Sequence, residues 1–169
     1  MRSIAIIGTR DPSSLQAQIA KHAAEELSKT FRIRTGGADG IDTIAMENSI
    51  PANLDVFLPW ASYNRGKVPA GCNIIVYNPN KDHNWTRSVR QFHPAPNNLT
   101  RGAIALHARN YGIVAEANIV LALPGPSGQG GTGQGIRVAK GMGITVVEVW
   151  KNHTASVSSV MEDLNRLLS

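Results

Sequence analysis

Apolar positions along this chain fall into short runs separated by longer amphipathic stretches. "SIAIIG" (3–8), "FRIRT" (31–35), "LDVFLP" (54–59), "NIVLALP" (118–124) and "ITVVEVW" (144–150) are rich in β-branched residues and bounded by Gly, Pro or Asn. Each predicts a strand. The stretches between them carry helical spacing. Over 11–29, Leu15, Ile19, Ala23 and Leu27 recur every fourth residue, and Ser13 with Gln16 makes a capping box. Shorter or longer helices are predicted over 41–49, 99–117, 135–143 and 154–168. The last has a stripe of Val157, Val160, Met161, Leu164, Leu167 and Leu168, with Thr154 as its cap.

The pattern weakens between Trp60 and Asn98. "ASYNRGKVPAGCN" reads as loop, "IIVYN" as a short strand or a loop, and "HNWTRSVRQFH" as a helical turn or two before the breaker "HPAPNN". So long a stretch without periodicity is unusual inside a compact domain, and such segments are often functional. Elsewhere strands alternate with helices, and the strands are mostly continuous apolar runs. That is the pattern of a parallel sheet covered on both faces. The expected fold class is therefore α/β: one Rossmann-like three-layer domain over 1–169, with a mainly parallel sheet and a basic insert at about 60–98. In such sheets ligands sit outside the carboxyl ends of the strands, so the chemistry is sought in the turns that follow them.

The first turn is Gly8-Thr9-Arg10. Gly8 permits a tight bend, Thr9 offers a hydroxyl, and Arg10 offers a planar set of donors suited to phosphate. The second is "TGGADGID", Thr35 to Asp42. Gly36 and Gly37 allow close approach of a ligand to the backbone. Asp39 is placed to cap the next helix and Asp42 falls in its first turn. Beyond capping, either acid would suit a ribose hydroxyl or a metal-bound water. The third turn, "GPSGQGGTGQG" (125–135), nearly spells two nucleotide motifs. Against G-x-x-x-x-G-K-S/T it has Gly125, Gly130 and Thr132, but Gly131 stands where the lysine belongs. Against G-x-G-x-x-G it fits at Gly128, Gly130 and Gly133. Backbone N–H groups of Gly130, Gly131 and Thr132 would form a nest for a phosphate. The missing lysine argues against ATP hydrolysis. Glu148, twenty residues after Gly128, is the acid that a dinucleotide reading would use, but no hydride-transfer constellation accompanies it. On the helix before this turn, Arg109 and Asn110 are within reach of the same edge.

Composition narrows the partners. The chain has 169 residues and a net charge of +5, a balance that favours anionic ligands such as nucleotides or nucleic acid. The middle segment interleaves Lys67, Lys81, His83, Trp85, Arg87, Arg90, His93 and Arg101, a mixture found in single-strand binders and equally suited to a lid over a nucleotide. No apolar run approaches the roughly 20 residues of a membrane span, and the N-terminus reads as a strand and not a signal peptide. The single cysteine, Cys72, fits a reducing cytoplasm. His83, His93 and His107 lack metal-ligand spacing, so no metal site is expected.

Taken together, "GTR", "TGGADGID", "LPW.SYN", "ARN" and "GGTGQG", in that order, resemble the SLOG superfamily. It unites the Rossmann domain of DNA-processing protein A (Smf/DprA), the Lonely Guy phosphoribohydrolases and small nucleotide-binding relatives. The likeness runs from about residue 3 to 149 and leans toward the DNA-processing A branch. It implies a Rossmann-like fold with a phosphate pocket built from the three turns. DNA-processing A proteins bind single-stranded DNA; Lonely Guy enzymes cleave a nucleoside monophosphate with an arginine and the glutamate of P-G-G-x-G-T-x-x-E. With Gly131-Thr132 set on that G-T, Ser127, Gly128 and Gln129 replace the P-G-G, and the glutamate position is Gly135. Asp42, Glu47 or Glu116 would have to replace that glutamate.

The leading expectation is therefore a nucleotide or nucleotide-derived ligand, bound without cleavage by Gly8, Thr9, Arg10, Gly36, Gly37, Asp39, Asp42, Arg109, Asn110, Gly130, Gly131 and Thr132. A bound nucleotide is the only cofactor suggested, and a homo-oligomer is expected. The alternatives are a single-stranded DNA-binding protein of the DNA-processing A kind, and an N-glycosidic hydrolase with Asp42, Arg109 and Glu116 as its catalytic candidates.

Overall fold

A computed structural model describes residues 1–128, 130–152 and 155–169. Six strands, β1 (Ser3–Gly8), β2 (Arg32–Gly36), β3 (Leu54–Leu58), β4 (Asn73–Val76), β5 (Ile119–Leu123) and β6 (Thr145–Glu148), form one sheet in the order β4-β3-β2-β1-β5-β6. Every neighbouring pair is parallel. Six α-helices cover it: α1 (Ser14–Leu27), α2 (Ile41–Asn48), α3 (His83–Phe92), α4 (Arg101–Val114), α5 (Gly130–Gly141) and α6 (Val157–Leu168). The α/β class with a Rossmann-like parallel sheet is thus as the sequence pattern predicts.

Side chains alternate across each strand, and the two faces of β1 and β5 show what they pack against. Ile4, Ile6, Leu121 and Leu123 are fully buried on one face with Ile19 and Ala23 of α1, Met46 of α2 and Leu164 of α6. Ala5, Ile7, Val120 and Ala122 face the other way, onto Ile113 and Val114 of α4 and Ile136 and Val138 of α5. Each large aliphatic side chain so buried contributes about 1.5–3 kcal/mol. The chain runs outward from β1 to β4, crosses back under α3 and α4, and enters β5 on the other side of β1. The strand order therefore reverses between β1 and β5, which is where open parallel sheets leave a crevice.

Several local expectations are corrected. The segment 60–98 is more regular than its pattern predicts. It holds β4, paired in register with β3, and α3, whose Val89 joins Tyr77 and Ala108 in a small core. Edge position explains the weak signal, since β4 is only partly buried. Helix α5 begins at Gly130, five residues before the expected Gly135. Glycine disfavours a helix by propensity, but here close packing overrides it. A β-carbon at Gly135 would lie 2.7 Å from Ile7 Cδ1, and one at Gly131 would lie 2.9 Å from Asn110 Nδ2. Thr154, expected to cap α6, lies outside the described residues, as does Gln129 of the glycine turn. The cap of α6 is Ser156, in a capping box with Ser159. The Ser13–Gln16 box of α1 is present as expected.

Gln16 also fastens the sheet edge that carries the candidate site. It is 1% exposed. Its Nε2 donates to the carbonyls of Pro124 (2.9 Å) and Val149 (2.8 Å), just beyond β5 and β6, while its Oε1 accepts from the Ser13 amide (3.1 Å). A Gln16→Leu substitution strands these backbone groups in an apolar setting. It is expected to lower the unfolding free energy in urea by about 2–4 kcal/mol; an unchanged midpoint would contradict this role.

Candidate functional site

The carboxyl end of β1 and the start of α5, the helix that follows β5, border a cavity of about 490 Å³. Its wall includes Gly8, Thr9 and Arg10 after β1, Asp42 on α2, Arg109 and Asn110 on α4, and Gly130, Gly131 and Thr132 at the start of α5. Residues from four elements meet because each turn is held by the next. The Thr9 amide donates to the Leu123 carbonyl (2.9 Å), and the Ile41 amide donates to the Thr9 carbonyl (3.1 Å). Gly40, with φ +78°, makes the second contact feasible, because a side chain there would run into the Thr9–Arg10 backbone.

Arg109 dominates the interior. It is 4% exposed. Its Nη1 donates to the Phe57 carbonyl at the end of β3 (3.1 Å), and its Nε donates to Asn110 Oδ1 (2.9 Å). Asn110 Nδ2 in turn donates to the Gly131 carbonyl (3.0 Å), tying the guanidinium to the first turn of α5. Tyr63 lies beneath Arg109, its ring centroid 5.6 Å from the guanidinium carbon, and its hydroxyl accepts from Arg10 Nη2 at 3.4 Å. Burial pushes the Arg109 pKa down, and the nearby Asp42 opposes that shift. An arginine stays charged regardless, so the cavity carries a fixed, desolvated cation. Arg10 adds a second at the exposed mouth. The first-turn amides of α5 lack intrahelical acceptors and add the positive end of a helix dipole.

Asp42 is the one carboxylate in the wall among the described residues. It accepts from the Ala38 amide at 3.3 Å and faces Arg109 without a direct ion pair. Gly36 leaves room for both: a β-carbon there would lie 2.7 Å from Asp42 Oδ2 and 2.8 Å from Arg109 Nη1. Burial pushes the Asp42 pKa up to about 6, with the Arg109 charge and the Ala38 amide pulling against it. His107 also lines the cavity. Burial, followed by the nearby His93, Arg137 and Arg109, pushes its pKa down to about 4. It is therefore neutral at neutral pH and adds no charge.

The remaining sequence candidates stand elsewhere. Gly36 and Gly37 lie behind the wall; Gly36 makes room for Arg109 and Asp42, and Gly37 packs against Leu58 and Tyr63. Asp39 does not cap α2, whose N-cap is Gly40 with no side-chain bond; it pairs with Lys67 and accepts from Asn64 (3.3 Å) at the surface. Glu116 follows α4 at the opposite edge of the sheet. There it borders a second cavity, of about 470 Å³, with Asp55, Asn73 and Trp85. It is too remote to act with Asp42 and Arg109. Glu47 does not line the first cavity, and Glu148 is paired with Lys140 at 3.0 Å. Trp85 packs against Gly112 and stacks on Tyr77, 6.0 Å between centroids, so it is structural. The sequence pattern marks neither Tyr63 nor His107 as a cavity residue: Tyr63 lies within the "LPW.SYN" stretch that carries the resemblance, and His107 stands two residues before Arg109 without metal-ligand spacing.

Comparison with known proteins bears on the fold and on the first part of the chain. The family described as DNA recombination-mediator protein A matches residues 1–65, which hold the first two turns. DNA processing protein A from Helicobacter pylori, in a structure described for its single-stranded DNA binding mode, superposes with a TM-score of 0.66 at 21% identity. That match covers 98% of this chain and 73% of the other. DNA processing protein A from Streptococcus pneumoniae gives 0.64 at 17% identity, covering 98% and 56% respectively. No match was found among curated proteins. At these identities the structures share the fold. The resemblance to DNA-processing protein A is thus matched by a family model over residues 1–65 and by a shared fold over 98% of the chain.

The raised pKa of Asp42 has a definite sign. The folded protein binds this proton more tightly than the unfolded chain, whose carboxyl titrates near 3.8. Its contribution to stability is full below about pH 4 and is lost as pH rises through 6, up to about 3 kcal/mol. The difference in urea stability between the wild type and Asp42→Asn is expected to shift by that order between pH 4 and 7, against the wild type at the higher pH. A difference that is flat with pH would contradict the burial argument.

Proposed function

We propose that this chain binds single-stranded DNA, seating one backbone phosphate in the cavity between β1 and β5. The observation that carries the reading is convergence. A buried guanidinium, a second arginine at the mouth and the first residues of a helix all line one space, and charge-assisted contacts of this kind hold phosphate strongly. The relatives support the same reading, since one of them is described by its single-stranded DNA binding mode. The basic balance of the chain, +5, adds long-range attraction. No helix among the described residues is long and apolar enough to cross a membrane.

A nucleoside phosphate is the second reading. It is favoured by the size of the cavity, about 490 Å³, which falls in the range of small-ligand pockets. Cleavage of the N-glycosidic bond is disfavoured. The position that the Lonely Guy motif gives to glutamate is Gly135, which is buried against Ile7. Asp42 is held beside Arg109 and serves to orient the site.

The test is fluorescence anisotropy with a labelled oligothymidylate, titrated with salt from about 50 mM, where backbone contacts dominate. The logarithm of the wild-type affinity is expected to fall linearly with log salt. Arg10→Ala, at an exposed position, is expected to weaken binding equally for all sequences and reduce the salt slope by about 1. Absence of binding at low salt, or mononucleotides displacing the strand completely at micromolar concentration, would move the assignment to the second reading.

A further inference from the structure

Trp60 is 40% exposed, an unusual state for the largest apolar side chain. It stands at the start of the turn after β3, and the second cavity and the cores do not use it. Among the described residues its ring neighbour is Tyr63, met edge to face at 5.4 Å between centroids and 88° between planes. Tyr63 is the residue that links Arg10 at the cavity mouth to Arg109 in its interior. The exposed indole is thus joined through a single ring to both phosphate-directed arginines. Nearby Asn64 keeps this turn rigid: it holds φ +45° and donates to the Gly37 carbonyl at 2.9 Å.

We infer that Trp60 is a stacking platform for an unpaired base next to the phosphate seated in the cavity, and that it makes the site selective for single strands. This rests on the single-stranded DNA reading. Aromatic faces beside a cationic groove bind bases of any kind, because every base has a π-face. A base paired in a duplex keeps its faces stacked on its neighbours and has none to offer. The arginines supply backbone affinity irrespective of strand state, while Trp60 supplies the preference for unpaired bases.

The experiment compares oligothymidylate with an abasic backbone of the same length and charge, on wild-type protein and on Trp60→Ala and Trp60→Tyr. The wild type is expected to prefer the base-bearing strand by about 10-fold or more, the scale of one base–aromatic stack. Trp60→Ala is expected to lose most of that preference, retain its affinity for the abasic strand and keep its salt slope. Trp60→Tyr is expected to recover part of the preference. Since the side chain is exposed, an unchanged urea midpoint shows that the variants are folded. If the wild type binds neither strand, the single-stranded DNA reading itself fails. If it binds both equally, or if Trp60→Ala keeps the preference or loses affinity for both strands alike, the platform is overturned and the phosphate site stands.

Discussion

A guanidinium buried at the point where a parallel sheet reverses its strand order organises everything around it. Removing a charge from water is costly unless its donors are satisfied and its surroundings are polar. Arg109 meets that condition through a carbonyl at the end of β3, the side chain of Asn110 and the carboxylate of Asp42 nearby. Each partner belongs to a different element, so satisfying the charge also fixes β3, α4, α2 and, through Asn110, the start of α5. The guanidinium so held lines the cavity. The same low-dielectric setting that makes the buried charge costly makes it effective toward an anion.

Small residues let this happen. Gly36 has no side chain because Asp42 and Arg109 occupy the space where one would be. Gly40 takes a left-handed backbone so that α2 can begin against the turn after β1. The glycines at the start of α5 allow that helix to sit directly on Ile7 and Asn110. Glycine richness here reflects close packing around a charged centre, and no lysine or glutamate of a nucleotide-hydrolysing motif accompanies it.

Much of this was legible in the sequence. The apolar runs predict the central strands because a strand buried on both faces needs continuous apolar residues. The turns after those runs then indicate where Thr9, Arg10 and Asp42 lie, and Arg109 and Asn110 reach the same edge from α4. The failures have physical causes. The edge strand β4 is half solvated and so lacks a strong apolar signal. Helix α5 starts among glycines because tertiary packing outweighs propensity. Asp39 reads as a cap by position, yet its surface pairing with Lys67 depends on a turn 28 residues away. Glu116 sits close to Arg109 in sequence, but the rest of α4 carries it to the opposite edge. Trp60 is silent in periodicity because an exposed aromatic belongs to no stripe.

Titration of isotope-labelled protein with oligothymidylate, followed by NMR, shows whether a strand's phosphate enters the cavity beside Arg109. The prediction is that the Arg109 Nε–H signal and the amides of Gly130, Gly131 and Thr132 shift together and saturate with the binding curve. Shifts confined to the exposed basic residues of α3, Arg87 and Arg90, with Arg109 and the start of α5 unmoved, would contradict it.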